Sequence, residues 1–471
     1  MDDDQQKAVE LALSGRSFFL TGAGGTGKSY VIRNIVDALH KSGKDVALTA
    51  MTGCAALLLG AGAKTLHSWA GIGLGKDEVS IILANIRKYQ KAKKNWLSTD
   101  TLIIDEVSMM TPDLLDKLDL IAKAIRRSTE PFGGIQFILV GDMYQLPPVN
   151  RDNQGSFFVF ESNIWKTTIK DSVTLRTVHR QSDPVFLKIL NEARDGSLSE
   201  ESIKILESRK TTAWKKLEIK PTLLFTRRAD VDEINMTQLK KCEGEDIIFR
   251  ARTRKTQQHY TENNYEEHVK NLVEKIDKSG AYIPELRLRK GAQVMYLVNG
   301  IHKDKDQMEE DLRDIDSQPK PEHMTNEEWW QAKREQKNII RCDYDDTSTG
   351  IVNGSRGIIE TFSFDGFPIV KFMNGHSHTI RYHTWPAEDG LQRQQVPLRL
   401  AYAITIHKAQ GATLDCALID IGKNTFEYGQ AYVALSRVKS LDSLYIWELD
   451  PSAFRVNPKV KEFLTSIQPS L

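Results

Sequence analysis

An apolar run, Phe18-Phe19-Leu20, breaks into the loop Gly22-Ala23-Gly24-Gly25-Thr26-Gly27-Lys28-Ser29, and a stretch with helical spacing follows. No other segment constrains the chain as strongly. In the pattern GxxxxGKS the glycines let successive backbone N–H groups turn inward onto phosphate oxygens, Lys28 reaches the β/γ oxygens, and the Ser29 hydroxyl can ligate Mg²⁺. The helix that follows places its positive N-terminal end at the same point, which favours an anion. The pattern predicts a strand, a phosphate cradle and a helix that together bind ATP with Mg²⁺. It is silent on what ATP turnover drives.

At 471 residues the chain is too long for one core and predicts two to four domains. No apolar stretch is long enough to span a bilayer and no secretory signal opens the chain, so an intracellular protein without membrane partners is expected. Cys54, Cys242, Cys342 and Cys416 lie far apart with no CxxC pair, which argues against a zinc site or a disulfide framework. The net charge is +1, so a nucleic-acid partner has to be held by local basic strips rather than by a global field.

Before the loop, residues 1–15 read as a short helix closed by Gly15, with Gln5 or Gln6 either solvated or placed to read an adenine edge. Thr49, Thr52, Thr65 and His67 follow a buried-looking strand, where open α/β sheets place ligands, although threonine is equally suited to capping helices. Trp69 suits a core as well as a stacked base. Residues 87–96 form a basic, aromatic-flanked helix. In TLIIDEVSMM an apolar strand ends on Asp105-Glu106: the aspartate is suited to Mg²⁺ and the glutamate to activating the attacking water. In IQFILVGDMYQLPPV, Gln145 is placed to sense the γ-phosphate, since its amide both donates and accepts.

The segments LTGAGGTGKS, TAMTGCAA, KTLHSWAGIG, LIIDEVSMM and GDMYQLPPV, in that order, resemble the successive motifs of superfamily-1B DNA helicases. The intervening segment, with Pro131-Phe132-Gly133-Gly134, is similar to the signature insert of the Pif-one family. The resemblance implies an α/β fold of two RecA-like P-loop NTPase domains with a small inserted, Src-homology-3-like β-barrel. The expected boundaries are 1–178 for the first motor domain, with a wedge at about 66–76, then 179–290 with 392–471 for the second, and 291–391 for the barrel.

By the same resemblance, Gln5 reads the adenine, Arg180 and Arg437 are arginine fingers, Gln410 and Gly411 face the nucleotide, and Thr52, Thr65, His67, Thr226, His407 and Lys408 face DNA. Thr226 and Asn235 follow PTLLF at positions that fit the family pattern. The residues themselves support the barrel through β alternation after Leu286 and turns at Asp365-Gly366 and Asn374-Gly375. His376, His378 and His383 could suggest a metal, but the HxH spacing of His376 and His378 simply places two histidines on one strand face, which needs none. Residues 301–347 depart from the family pattern: they are highly charged, then offer a capping box from Thr325 to Glu328 that opens a helix carrying Trp329 and Trp330, which is either part of a disordered surface insert or docks on the barrel through its tryptophans and adds a partner or DNA surface. Residues 396–421 read as a helix with apolar spacing, a glycine and a strand.

The family implies an ATP- and Mg²⁺-dependent helicase that moves 5′ to 3′ on single-stranded DNA and opens tailed or forked duplexes, acting as a monomer in DNA replication, repair and recombination. G-quadruplexes and R-loops are further family substrates. Nucleus or mitochondrion is the expected home in a eukaryote. An ATP-gated DNA-binding protein that does not part strands shares most of these motifs, whereas a nucleotide kinase shares only the loop. Little chain precedes Gln5 or follows Arg437, leaving scant room for accessory terminal domains.

Overall fold

Every residue of β1 (Phe18–Gly22) is buried, and β2 (Val46–Ala50), β3 (Lys64–Thr65), β4 (Thr101–Asp105), β5 (Gln136–Val140) and β6 (Asp171–Leu175) complete a sheet with it. The order is β3-β2-β4-β5-β1-β6 and every pairing is parallel. Continuous apolar strands of this kind are stable only with both faces covered. One face carries Phe19, Leu102, Ile104, Phe137 and Leu139 into a core with Trp69 and Trp96; the other carries Phe18, Leu20, Ile103, Ile138 and Val140 against Val31, Ile32 and Ile35.

The computed structural model describes residues 1–60, 63–73, 75–88, 90–148, 157–226, 228–255, 282–298, 351, 353–386 and 391–467, with isolated positions at 269–270, 273–274, 277, 315, 325, 327, 329–331 and 333–334. Most of the charged 301–347 insert, and Glu328 of its capping box, lie outside the described residues, as does Leu74 of the 66–76 excursion.

Helices α1 (Asp3–Leu13), α2 (Lys28–Lys41), α3 (Gly53–Leu59), α4 (Leu66–Ala70), α5 (Val79–Lys88), α6 (Gln90–Ser98) and α7 (Pro112–Arg126) fill the connections of the first sheet. Strand β7 (Thr222–Phe225) belongs to a second sheet, completed only near the end of the chain.

By compactness the chain divides into Met1–Val231 with Ala403–Leu471, and Asp232–Tyr402. The second unit is antiparallel. Its five-stranded sheet has the order β14-β13-β12-β11-β17, where β11 is Gln293–Tyr296, β12 Arg356–Phe362, β13 Pro368–Phe372, β14 Ser377–Thr379 and β17 Leu398–Leu400. The hairpins turn at Asp365-Gly366 and Asn374-Gly375, where the sequence places them. A three-stranded and a two-stranded sheet complete the unit, and the Arg393 guanidinium crosses to Asp277, 2.8 Å away.

Back in the first unit, β18 (Ala403–Thr405) and β19 (Ala417–Ile421) flank β7 in parallel, and β20 (Leu444–Leu449) pairs with β19. The expected helix over the start of 396–421 is therefore corrected: two short strands, Leu398–Leu400 and Ala403–Thr405, precede a single helical turn, Ile406–Ala409. Ala403, Ile404 and Thr405 are all buried, and a short fully buried run carries no periodicity that separates strand from helix.

The Pro131–Gly134 turn is a structural clamp. Phe132 is wholly buried, stacks on Phe137 with ring centres 4.2 Å apart, and donates its N–H to Asp119 Oδ1 at 2.7 Å. Arg126, at the end of α7, donates Nε to the Gly133 carbonyl at 2.7 Å and Nη1 to the carbonyls of Trp96, Leu97 and Thr99 at 2.9, 3.2 and 3.1 Å. One guanidinium thus satisfies carbonyls left open at the end of α6 while fixing the turn. Gly133 has φ +60°, and a Cβ there would lie 2.7 Å from the Ala122 carbonyl oxygen. Gly133→Ala is predicted to destabilise the protein by about 2–3 kcal/mol through backbone strain and this clash. Thermal denaturation checks it; an unchanged melting temperature contradicts the clamp.

Candidate functional site

The phosphate loop is held open by its own side chains and by one hydroxyl from late in the sequence. Gly27 caps α2 with φ +85°, Thr26 Oγ1 donates to the Ala23 carbonyl at 3.0 Å, and Lys28 Nζ donates to the carbonyls of Gly22 and Ala23 at 2.8 and 3.0 Å. The Gly24 amide donates to Tyr432 Oη at 2.9 Å. Burial lowers the Lys28 pKa, although Asp142, Glu106 and Asp105 all favour its ammonium form.

At the end of β4, Asp105 Oδ1 accepts the Glu106 N–H at 2.8 Å, and Glu106 sits in the left-handed region at φ 57°. A non-glycine residue held there is strained, which fits a side chain whose direction matters. Burial and the adjacent Glu106 carboxylate push the Asp105 carboxyl up to about 7. After β5, Asp142 is wholly inaccessible, and the buried Gln145 follows three residues on.

The opposing wall comes from the second sheet and its approaches. A cleft of about 350 Å³ is lined by Gly24, Gly25, Gly27, Lys28, Ser29, Asp105, Glu106 and Gln145 on one side, and by His179, Arg180, Gly411 and Arg437 on the other, with Ala55 and Leu58 between. Gln410 Nε2 donates to Glu106 Oε2 at 2.9 Å across this cleft. Arg180 Nη1 donates to the Ser436 carbonyl at 3.2 Å; Arg437 donates Nε to the Val433 carbonyl at 2.8 Å and Nη2 to Ser436 Oγ at 2.6 Å. Burial and the neighbouring Arg180 charge bring Arg437 down to about 10. A cleft that gathers Lys28 and two guanidiniums is built for a polyanion.

The donor set also fits a hard cation beside that anion. Asp105 and Glu106 bring two carboxylates into the cleft that Ser29 also lines, and the side-chain oxygens of Gln145 and Gln410 are buried without a hydrogen-bond partner. Oxygen donors of this kind suit Mg²⁺.

Of the two glutamines weighed for adenine, Gln5 is buried and Gln6 exposed. Gln5 completes a capping box with Asp2, and its Nε2 lies 3.4 Å from His179 Nε2, beside Gly27. Thr52 and Thr65 accept the N–H groups of Ala55 and Ser68, at 3.2 Å each, as helix caps, and His67 follows Thr65 in α4. Thr226 follows β7 directly. His407 and Lys408 follow β18 in α12 (Ile406–Ala409), and burial lowers the His407 pKa. All six stand at C-terminal ends of parallel strands, and none lines the nucleotide cleft.

Two early candidates resolve as structure. Thr49 is inside β2, fully buried, and donates to the Ile103 carbonyl at 2.8 Å; Trp69 packs in the core 4.6 Å from Trp96. Sequence reasoning missed Arg194 and Tyr432, which both engage Asp142. The only signal was Asp142 itself, a carboxylate at the end of a fully apolar strand.

Two RecA-type parallel sheets that bring together a glycine-rich loop, an acid pair and two arginines define a RecA-like P-loop nucleotide-binding fold. A family model for PIF1-like helicases matches residues 1–204. The human ATP-dependent DNA helicase PIF1 is 34% identical over 474 residues, covering 99% of this chain and 64% of its own length. The crystal structure of the Candida albicans Pif1 helicase is 32% identical with TM-score 0.73, covering 99% of both chains. The Bacteroides Pif1 helicase in complex with ADP-AlF3 and single-stranded DNA is 27% identical with TM-score 0.63, covering 99% of this chain and 96% of that one. The chain belongs to the PIF1-like helicase family. It spans slightly less than two thirds of the length of its human relative.

Gly25 has φ +89°, and a Cβ there would lie 2.6 Å from Arg180 Cβ. Gly25→Ala is predicted to weaken binding of a fluorescent adenine nucleotide at least about tenfold, since about 1–2 kcal/mol of left-handed strain adds to the clash. Unchanged binding contradicts the close approach of the two walls.

Proposed function

We propose that this protein is an ATP- and Mg²⁺-dependent DNA helicase that translocates 5′ to 3′ on single-stranded DNA and separates tailed or forked duplexes. One observation carries the reading: the loop and acid pair of the first sheet face Arg180, Gln410 and Arg437 across a single cleft.

In this mechanism Gln5 reads the adenine edge and the loop amides with Lys28 grip the phosphates. Ser29 and Asp105 would hold Mg²⁺, which would supply neutralising positive charge beside the phosphates. Glu106 deprotonates the attacking water, and the hydrogen bond from Gln410 aims its carboxylate. Gln145 senses the γ-phosphate, while Arg180 and Arg437 stabilise the charge that develops in transfer, a role worth about 10³–10⁵ in rate elsewhere. Loss of the γ-phosphate removes what the two arginines hold in common, so the walls part and the cycle becomes movement.

Thr52, Thr65, His67, Thr226, His407 and Lys408 would carry the DNA. Their positions at strand C-terminal ends support this, because open parallel sheets present ligand-facing groups there. A cap hydroxyl retains acceptor capacity and can still meet a phosphate through water. The five-stranded antiparallel sheet supports the reading of 291–391 as a Src-homology-3-like barrel, with the 301–347 insert as an added surface.

Replication forks, G-quadruplexes and R-loops are the proposed structured substrates, in replication, repair and recombination. The DNA substrate places the protein in a DNA-bearing compartment, nucleus or mitochondrion in a eukaryote.

Lys28→Ala is predicted to abolish DNA-stimulated ATP turnover while single-strand affinity stays within about threefold, because phosphate grip and DNA contact use different residues. Persistent turnover contradicts the site assignment. Duplexes with only a 5′ tail are expected to be unwound and those with only a 3′ tail left paired; preference for the 3′ tail reverses the assigned direction.

A further inference from the structure

Asp142 poses a physical problem that the mechanism above leaves unused. Its carboxylate is fully buried, and burial alone raises a carboxyl pKa, yet the Arg194 guanidinium and the Lys28 ammonium hold it below its ordinary value. Arg194 binds it through two nitrogens, Nη2 to Oδ1 at 3.0 Å and Nε to Oδ2 at 3.3 Å, and lies over the Tyr144 ring 4.4 Å from its centre. Tyr432 Oη donates to Asp142 Oδ2 at 3.1 Å.

The same hydroxyl accepts the Gly24 amide at 2.9 Å. The direction of both bonds is fixed. An ionised carboxylate has no proton to give, and a backbone amide can only donate. Burial, reinforced by Asp142, raises the Tyr432 pKa well beyond its usual value, so the hydroxyl keeps the proton it donates.

We propose that Tyr432 is a positioning residue of the ATPase centre, whose hydroxyl joins the phosphate loop to the Asp142–Arg194 pair and thereby sets the loop and Gln145 in one frame. The link to Gln145 is short: its amide donates to the Asp142 carbonyl at 2.9 Å, closing the turn that carries the side chain into the cleft. Tyr432 lies on α13 (Gln430–Leu435) and Arg437 follows two residues past its end, so one short segment both grips the loop opposite and carries an arginine of the cleft. Arg194 enters from α9 (Pro184–Asp195). The network thus ties both walls of the cleft at a point behind the reacting phosphates. This inference rests on the ATPase reading of the cleft.

Tyr432→Phe keeps the ring and removes only the hydroxyl. In the full chain, with saturating single-stranded DNA, it is expected to lower kcat for ATP about tenfold with KM changed less than about threefold, and to leave the melting temperature within about 2 °C. Arg194→Lys, which retains charge but loses the two-nitrogen grip, is expected to act through the same frame. The double variant should therefore lose no more than about twofold beyond the worse single variant, where independent losses would multiply. A kcat within twofold of the parent for Tyr432→Phe, multiplicative losses in the double variant, or a loss that merely follows unfolding would each overturn the proposal. Lys28→Ala, run alongside, separates the two levels: continued turnover in that variant removes the ATPase reading itself, whereas its silence beside a fully active Tyr432→Phe removes only the role of Tyr432.

Discussion

A buried carboxylate with no counter-charge cannot stay ionised, and the nucleotide cleft is arranged around that constraint. Asp142 has no exposed surface, so its charge depends on Arg194 and Lys28. Lys28 in turn sits among Asp142, Glu106 and Asp105, while Arg180 donates to the Ser436 carbonyl and Arg437 to the Val433 carbonyl and the Ser436 hydroxyl. The cleft is therefore divided: acids and their partners on the loop side, surplus positive charge on the other. That division suits the proposed magnesium triphosphate, whose metal the acids would hold and whose anionic oxygens the guanidiniums would face. The lowered Arg437 and raised Asp105 pKa values share a cause: burial disfavours each charge, and the like charge beside it, Arg180 or Glu106, disfavours it further.

What was legible in the sequence was local chemistry. The loop, the acid pair after an apolar strand, and the two turns at Asp365-Gly366 and Asn374-Gly375 each carry their geometry in a few adjacent residues, and each stands where expected. The PFGG segment was legible as a signature but not as a clamp. Its role emerges only when Arg126 reaches the carbonyls of α6, a partner about thirty residues back with no pattern to announce it. Gln5 and Gln6 are adjacent and chemically identical, and only the packing of α1 against the loop separates the buried amide from the solvated one. Thr49 and Thr52 posed a similar ambiguity, settled by the strand ending at Ala50.

The misread helix before Gln410 and the unnoticed Arg194–Asp142 pair share a cause. Both depend on contacts distant in sequence: Ala403–Thr405 is a strand because β7 lies beside it, and Asp142 is charged because an arginine on another helix faces it. Propensity and spacing carry no record of such neighbours. Tertiary pairing overrides local preference most readily in short buried runs, where few residues vote.

The order of strands in the second sheet has a consequence for how the chain is made. β7 pairs with β18 on one side and β19 on the other, and both emerge from the ribosome roughly 180 residues after it. At typical synthesis rates of about 5–20 residues per second, β7 waits on the order of ten to thirty seconds with both edges bare. In the first sheet β1 also waits for its partners β5 and β6, but that sheet is complete once Leu175 has been made. The phosphate loop, the acid pair and Arg180 are thus made well before Arg437, and the newborn protein passes through a stage that carries part of a nucleotide cleft.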